Sequence, residues 1–252
     1  MRGVFLWLVL FCIPGLLAAG RVEDLAPTYR ESFPKKHPLV QAWLAESVPF
    51  VSLYEKLEKD FERFGHSERM VRSIFYRSHQ HLFHSYKQYT LDRDALTEGA
   101  YDCVSGSLIL AAILDHFGFR FEAIETSYHV FLQVAMGDNR LLLEVTDPRG
   151  GYIADSERQQ AYLRGYQEEL GAKVLWEETK NEGSPTAAAI YQKITLQNLL
   201  GLQYFNQAIR YFNEDNPLAA YQFAVTALKY HDSDRIRDFS NFLKQQLALA
   251  SR

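Results

Sequence analysis

The stretch that most constrains this chain is CVSGSLILAAILDHFG, from Cys103 to Gly118, an almost unbroken apolar run. A helix without a polar face has to be buried, so the run predicts the central element of a core. Gly118 predicts its end. Directly after it, residues 119–126 and 129–136 alternate in strand fashion, Gly137-Asp138-Asn139 predicts a hairpin turn, and residues 140–145 predict a third strand. A buried helix feeding an antiparallel sheet is an α+β arrangement.

Helical patterns precede this core. Residues 38–64 carry apolar positions at helical spacing, interrupted by Pro49 and closed by Gly65, which predicts two short helices or one kinked helix. Ser67 can cap a further helix running to about Tyr89, whose stripe includes Met70, Val71, Ile74 and Phe75. Residues 90–100 are polar, broken by Gly99, and predict a loop.

The chain has two cysteines, too few for a disulfide scaffold and without the paired spacing of a structural zinc site. Cys12 lies in a leader-like segment at residues 1–20, where Arg2 precedes an apolar run and Ala18-Ala19-Gly20 supplies the small residues of a cleavage site. The expectation is export to a periplasmic or extracellular setting, with a membrane anchor if the leader stays. The surviving thiol is Cys103. In the first turn of a helix it meets unpaired N–H groups and the positive end of the macrodipole, which favour thiolate. It reads either as a nucleophile or as a small apolar residue packed where a loop meets a helix.

The strands weigh on that choice. A hairpin turning at 137–139 pairs residues whose numbers sum to about 276, which sets His129 opposite Asp147 within hydrogen-bonding reach. A thiol at a helix start, an imidazole on one strand and a carboxylate on the next make a thiol triad. The imidazole takes the thiol proton, and the carboxylate fixes its tautomer.

Three motifs carry this pattern: Tyr101-Asp102-Cys103-Val104-Ser105-Gly106 with its helix, Tyr128-His129-Val130-Phe131-Leu132-Gln133-Val134, and Leu142-Leu143-Glu144-Val145-Thr146-Asp147-Pro148. Together they resemble the transglutaminase-like branch of the papain-like cysteine enzymes. The resemblance implies Cys103 as nucleophile, His129 as general base and acid, and Asp147 as orienter. The Cys103 N–H would be one oxyanion donor, with Tyr101 a candidate for the second.

Other polar groups carry less. His79, His81 and His84 form an HxHxxH cluster, but on one helix only 81 and 84 share a face, so a solvated helix face is expected ahead of a zinc site. His116 reads as a helix-terminal residue, and Asp155 and Glu157 as surface carboxylates. No cofactor or metal fingerprint is present. With 27 basic against 31 acidic residues, net −4, the chain lacks the positive footprint of a nucleic-acid binder.

Residues 171–180 could add an edge strand, and 181–186 predict a linker. Beyond it, Tyr204, Ala208, Tyr211, Ala220, Ala224 and Ala227 are spaced like one tetratricopeptide hairpin, with a turn at 213–216, Pro217 at the first position of the next helix, and a third helix over 234–249. A single unit is too short to stand alone and is expected to pack on the preceding domain; a plain helical bundle fits the spacing equally. The expected organisation is a leader at 1–20, a transglutaminase-like domain at 21–180 and a helical segment at 187–252. Two functions follow: an exported thiol enzyme acting on amide bonds of a protein or peptide, hydrolysis favoured over amine transfer, or an inactive scaffold that binds a protein partner through its C-terminal helices.

Overall fold

Pro49 sits in the first turn of a helix, where its missing N–H costs nothing, so the apolar stretch divides just before it. The computed structural model, which describes residues 37–166 and 190–250, places α1 at Pro38–Glu46 and α2 at Val48–Phe64. Between them the Ser47 hydroxyl accepts from the Phe50 N–H at 3.2 Å and donates to the Leu96 carbonyl at 2.7 Å, which caps α2 and ties it to a segment distant in sequence. The leader, the expected edge strand at 171–180 and the linker at 181–186 lie outside the described residues. Among those residues, no helix is long and apolar enough to cross a membrane.

Helix α3 (Glu68–His81) ends well short of Tyr89, because Ser85–Tyr86 is drawn into a short strand β1 that pairs in parallel with β2 (Ala100–Tyr101). The stretch expected as a loop also holds a short helix, α4 (Asp92–Thr97). A tertiary partner stabilises it, since buried Asp92 accepts from Trp43 Nε1 at 3.0 Å and from Gln203 Nε2 at 2.9 Å.

The apolar run forms α5 (Cys103–His116), buried continuously from Cys103 to Leu114. Its start is defined by a reciprocal cap: the Asp102 carboxylate accepts from the Ser105 N–H at 2.7 Å, and the Ser105 hydroxyl accepts from the Asp102 N–H at 2.9 Å. Against α5 lies an antiparallel sheet of β3 (Phe121–Thr126), β4 (Val130–Met136), β5 (Asn139–Leu143), β6 (Tyr152–Ile153) and β7 (Tyr191–Ile194), in the order β6-β5-β4-β3-β7. Strand alternation sends Ala123, Leu132, Val134, Leu141 and Leu143 into the main core. It sends Ile124, Phe131, Leu142 and Ile153 to the opposite face. That second face is covered by Tyr162, Leu163 and Tyr166 of α6, a helix that starts at 156 and is described to 166.

The hairpin differs from the expected one by a single residue. Its turn is Gly137-Asp138, with Gly137 at φ +61°, and Asn139 already pairs with Met136. The pairs therefore run Leu132 with Leu143 and Gln133 with Leu142. Removing one residue from the loop shifts the register by one, which exchanges the faces to which the residues of β5 and the loop after it point.

The C-terminal segment forms α7 (Leu196–Asn213), α8 (Pro217–Leu228) and α9 (Asp234–Ala250). Fully buried Ala208, Ala220, Ala224 and Ala227 let α7 and α8 approach closely. A Cβ added at Gly201 would fall 2.4 Å from the His231 Cβ, so no larger residue fits where α7 meets the loop before α9. The segment does not hang free. Helix α7 packs on α5, and Gln207 donates to the Tyr89 carbonyl at 2.7 Å.

Candidate active site

Cys103 is the first residue of α5, so its N–H has no acceptor within the helix and the Asp102 carboxylate caps the turn beside it. His129 lies just ahead of β4, in a turn closed by the Thr126 N–H donating to the His129 carbonyl at 2.8 Å and the His129 N–H donating to Thr126 Oγ1 at 3.1 Å. The imidazole and the Cys103 side chain line one cavity. The His129 Nε2 lies 2.5 Å from Glu144 Oε2, which leaves Nδ1 as the ring nitrogen not engaged by the carboxylate.

The carboxylate partner is therefore Glu144 rather than Asp147. Continuing the observed register one pair past Leu132 and Leu143 sets Glu144 opposite Phe131, on the face of the sheet that residue 129 shares. Asp147 instead turns into its own loop, where its Oδ1 accepts from the N–H groups of Arg149 at 3.1 Å and Gly150 at 2.8 Å. That loop needs Gly151, because a Cβ there would lie 2.0 Å from the Glu144 carbonyl oxygen. Asp147 thus shapes the turn that follows Glu144.

Glu144 is held by four donors. Its Oε1 accepts from the Thr146 N–H at 2.8 Å and from Thr146 Oγ1 at 2.5 Å, while Oε2 faces His129 and accepts from the Tyr162 hydroxyl. Tyr162 also bonds Tyr166, whose ring stacks parallel to the imidazole with centroids 6.3 Å apart. Burial works against charge on Glu144, but His129, Thr146 and Tyr162 hold the carboxyl below its ordinary range. Burial likewise disfavours imidazolium, yet interactions with Cys103 and Glu144 outweigh it and push His129 up to about 10. Burial and the adjacent Glu144 charge push the Tyr162 phenol far up, so it serves as a permanent donor.

A cavity of about 390 Å³ opens on this group. Cys103, Val104 and His129 line it together with Tyr86, Tyr128, Phe205, Ile209 and Arg235. Its walls thus come from the sheet, from α5 and from the C-terminal helices. Tyr101 does not line it: the residue is 4 % exposed, its ring packs on Phe83 at 4.9 Å, and its carbonyl accepts from the Lys87 N–H.

The three histidines of the HxHxxH cluster diverge. His79 departs from the expected solvated face and packs against Phe75 at 4.7 Å and Phe83 at 5.3 Å, and burial lowers its pKa to about 4. His81 meets Lys56 at 2.9 Å, and His84 lies under Gly99. Among the described residues no cluster of three or more His, Cys, Asp or Glu is arranged to hold a metal ion. His116, the last residue of α5, hydrogen-bonds the Tyr54 hydroxyl at 2.8 Å. Asp155 caps α6 through the Arg158 N–H, and Glu157 is exposed.

Sequence reasoning passed over Glu144, Thr146, Tyr162 and Tyr166. The two tyrosines, four apart on one helix, were visible as a face-sharing pair. Glu144 was hidden by the one-residue uncertainty of the hairpin. Comparison with protein-family models, with curated proteins and with solved structures finds no match to this chain, so the site geometry carries the functional argument.

Proposed function

We propose that the protein is an exported thiol enzyme that acts on amide bonds of a protein or peptide through an acyl-enzyme at Cys103. The observation that carries this reading is the His129 ring, hydrogen-bonded to Glu144 and sharing the wall of an open cavity with Cys103. The His129 imidazolium, its pKa pushed up to about 10, already carries the proton that the thiol gives up, so Sγ attacks the carbonyl carbon with no further proton transfer, and the new C–S bond places a negative charge on the carbonyl oxygen. The N–H of Cys103 is aimed to stabilise that charge. As the C–N bond breaks, His129 returns the proton to the leaving amine. Water then attacks the thioester, His129 takes its proton, and the C–S bond breaks to free the acid and restore the thiol. Glu144 keeps the ring in one tautomer and orientation throughout.

A Cys-led helix packed on an antiparallel sheet that bears the His and the carboxylate supports a papain-like, transglutaminase-like core, with Glu144 in the orienting role. The leader sequence supports an exported setting. The low exposure of Cys103, 9 %, favours a second reading, an inactive scaffold that binds a protein partner. The test is turnover of glutamine-containing peptides with and without an amine acceptor, by wild type and Cys103→Ala. Release of ammonia or a cleaved peptide, abolished in Cys103→Ala with folding intact, supports the enzyme. Amine incorporation would shift the reading to transfer, and no turnover with a slow, His129-independent thiol would overturn it.

A further inference from the structure

The two reacting residues sit on different elements that pack against each other. Cys103 heads α5, whereas His129 belongs to a turn of the sheet. Both positions are gripped by the C-terminal helices. On α7, Asn206 Nδ2 donates to Asp102 Oδ2 at 3.2 Å, next to the thiol residue, while the other oxygen of Asp102 caps α5. On α9, Arg235 Nη1 donates to the Ser127 carbonyl at 2.8 Å, two residues before His129, and Nη2 donates to Glu125 Oε1 at 2.6 Å.

The Arg235 clamp is itself rigid. Its guanidinium lies over the Phe205 ring of α7 at 5.1 Å. Glu125, with no exposed surface, also meets His231 Nε2 at 2.7 Å and accepts from Gln192 Nε2 at 2.9 Å. A guanidinium can span two acceptors in one plane, which an ammonium cannot. Helix α7 also supplies Leu202, Phe205 and Ile209 to the cavity wall, and α9 supplies Arg235.

We propose that Asn206 and Arg235 are positioning residues that set the spacing of Cys103 and His129, acting through Asp102 and Ser127, so that α7 and α9 form an integral wall of the site. This rests on the thiol-enzyme reading above. A reactive pair must be held to within about 0.5 Å of its working geometry, and a misplacement of about 1 Å can cost on the order of 100-fold in rate. The bonds between Thr126 and His129 shape the turn. The bonds from Asn206 and Arg235 connect that turn and the head of α5 through one helical body.

The experiment is the initial rate of iodoacetamide alkylation at Cys103 in the full chain at neutral pH, read by mass spectrometry of the Cys103 peptide. The variants are His129→Ala, Asn206→Ala, Arg235→Ala and Arg235→Lys, each checked for folding by circular dichroism. We expect His129→Ala to slow alkylation by about 100-fold. Asn206→Ala, Arg235→Ala and Arg235→Lys should each slow it by about 10-fold while the protein stays folded. Low, non-denaturing guanidinium should restore the rate of Arg235→Ala, a response that a purely structural residue would not give. Should Arg235→Ala fail to fold, Asn206→Ala and Arg235→Lys carry the test. Wild-type rates in folded Asn206 and Arg235 variants, with His129→Ala slow, overturn the positioning role and leave the enzyme reading standing. Equal rates in wild type and His129→Ala overturn the enzyme reading itself.

Discussion

His129 Nε2 lies 2.5 Å from Glu144 Oε2, across a hairpin whose two-residue turn puts both side chains on one face of the sheet. Asp147, three residues on, spends its carboxylate on its own turn. If this geometry governs reactivity, Glu144→Gln removes the charge that holds the imidazolium and should lower amide turnover by about 10²–10⁴-fold. Asp147→Asn should change it only a few-fold. The comparison of kcat/KM for the two variants is decisive, and a larger loss in Asp147→Asn would reverse the assignment.

Tyr162→Phe deletes one of the four donors to a buried carboxylate and should destabilise the protein by about 1.5–3 kcal/mol. Urea unfolding at neutral pH measures it. The activity profile should move as well, because the Glu144 carboxyl loses part of what holds it below its ordinary range.

The pH dependence has two limbs of opposite sign. His129 is raised from 6.5 to about 10 in the folded protein, so its contribution is full below the ordinary imidazole value and is lost as pH rises through about 10. Glu144 is lowered from its ordinary 4.5, so its contribution is present above that value and is lost as pH falls through the lower folded one. Thermal unfolding from pH 6 to 10 should show a decline in wild type that His129→Ala lacks. An unchanged alkaline limb in that variant would place the titration elsewhere.

Gly151→Ala puts a methyl group against the Glu144 carbonyl oxygen, backbone that cannot turn aside. The cost should be about 1–3 kcal/mol, read as a lower unfolding midpoint. Alkylation at Cys103 should slow too, because the shift moves Glu144.

Much of the architecture was legible because short-range rules govern it. The run after Cys103 has no polar face, so it had to be a buried helix, and Gly118 marks its end. Strands β3, β4 and β5 followed from alternation, and Pro217 after Asn216 marked the start of α8. Helix α4 was not legible, since its stability comes from Asp92 meeting Trp43 and Gln203 far along the chain. Nor was the end of α3, where Ser85 and Tyr86 leave helical spacing to pair with residues near Gly99. His79 looked solvent-facing because helical spacing alone does not reveal which side a neighbouring element covers.

By itself the sequence determined the types of the main elements, the α+β class, and the placement of a cysteine at a helix head and a histidine at the start of the second strand, one residue before the observed β4. Those are properties of periodicity, capping and turn chemistry, which act over a few residues. Tertiary structure decided the carboxylate, because strand register has a period of two and a single residue in a turn exchanges Asp147 for Glu144. It also decided that Tyr162, Asn206 and Arg235 reach the same site, since contacts between distant segments depend on how helices and sheet pack, and no local pattern encodes that.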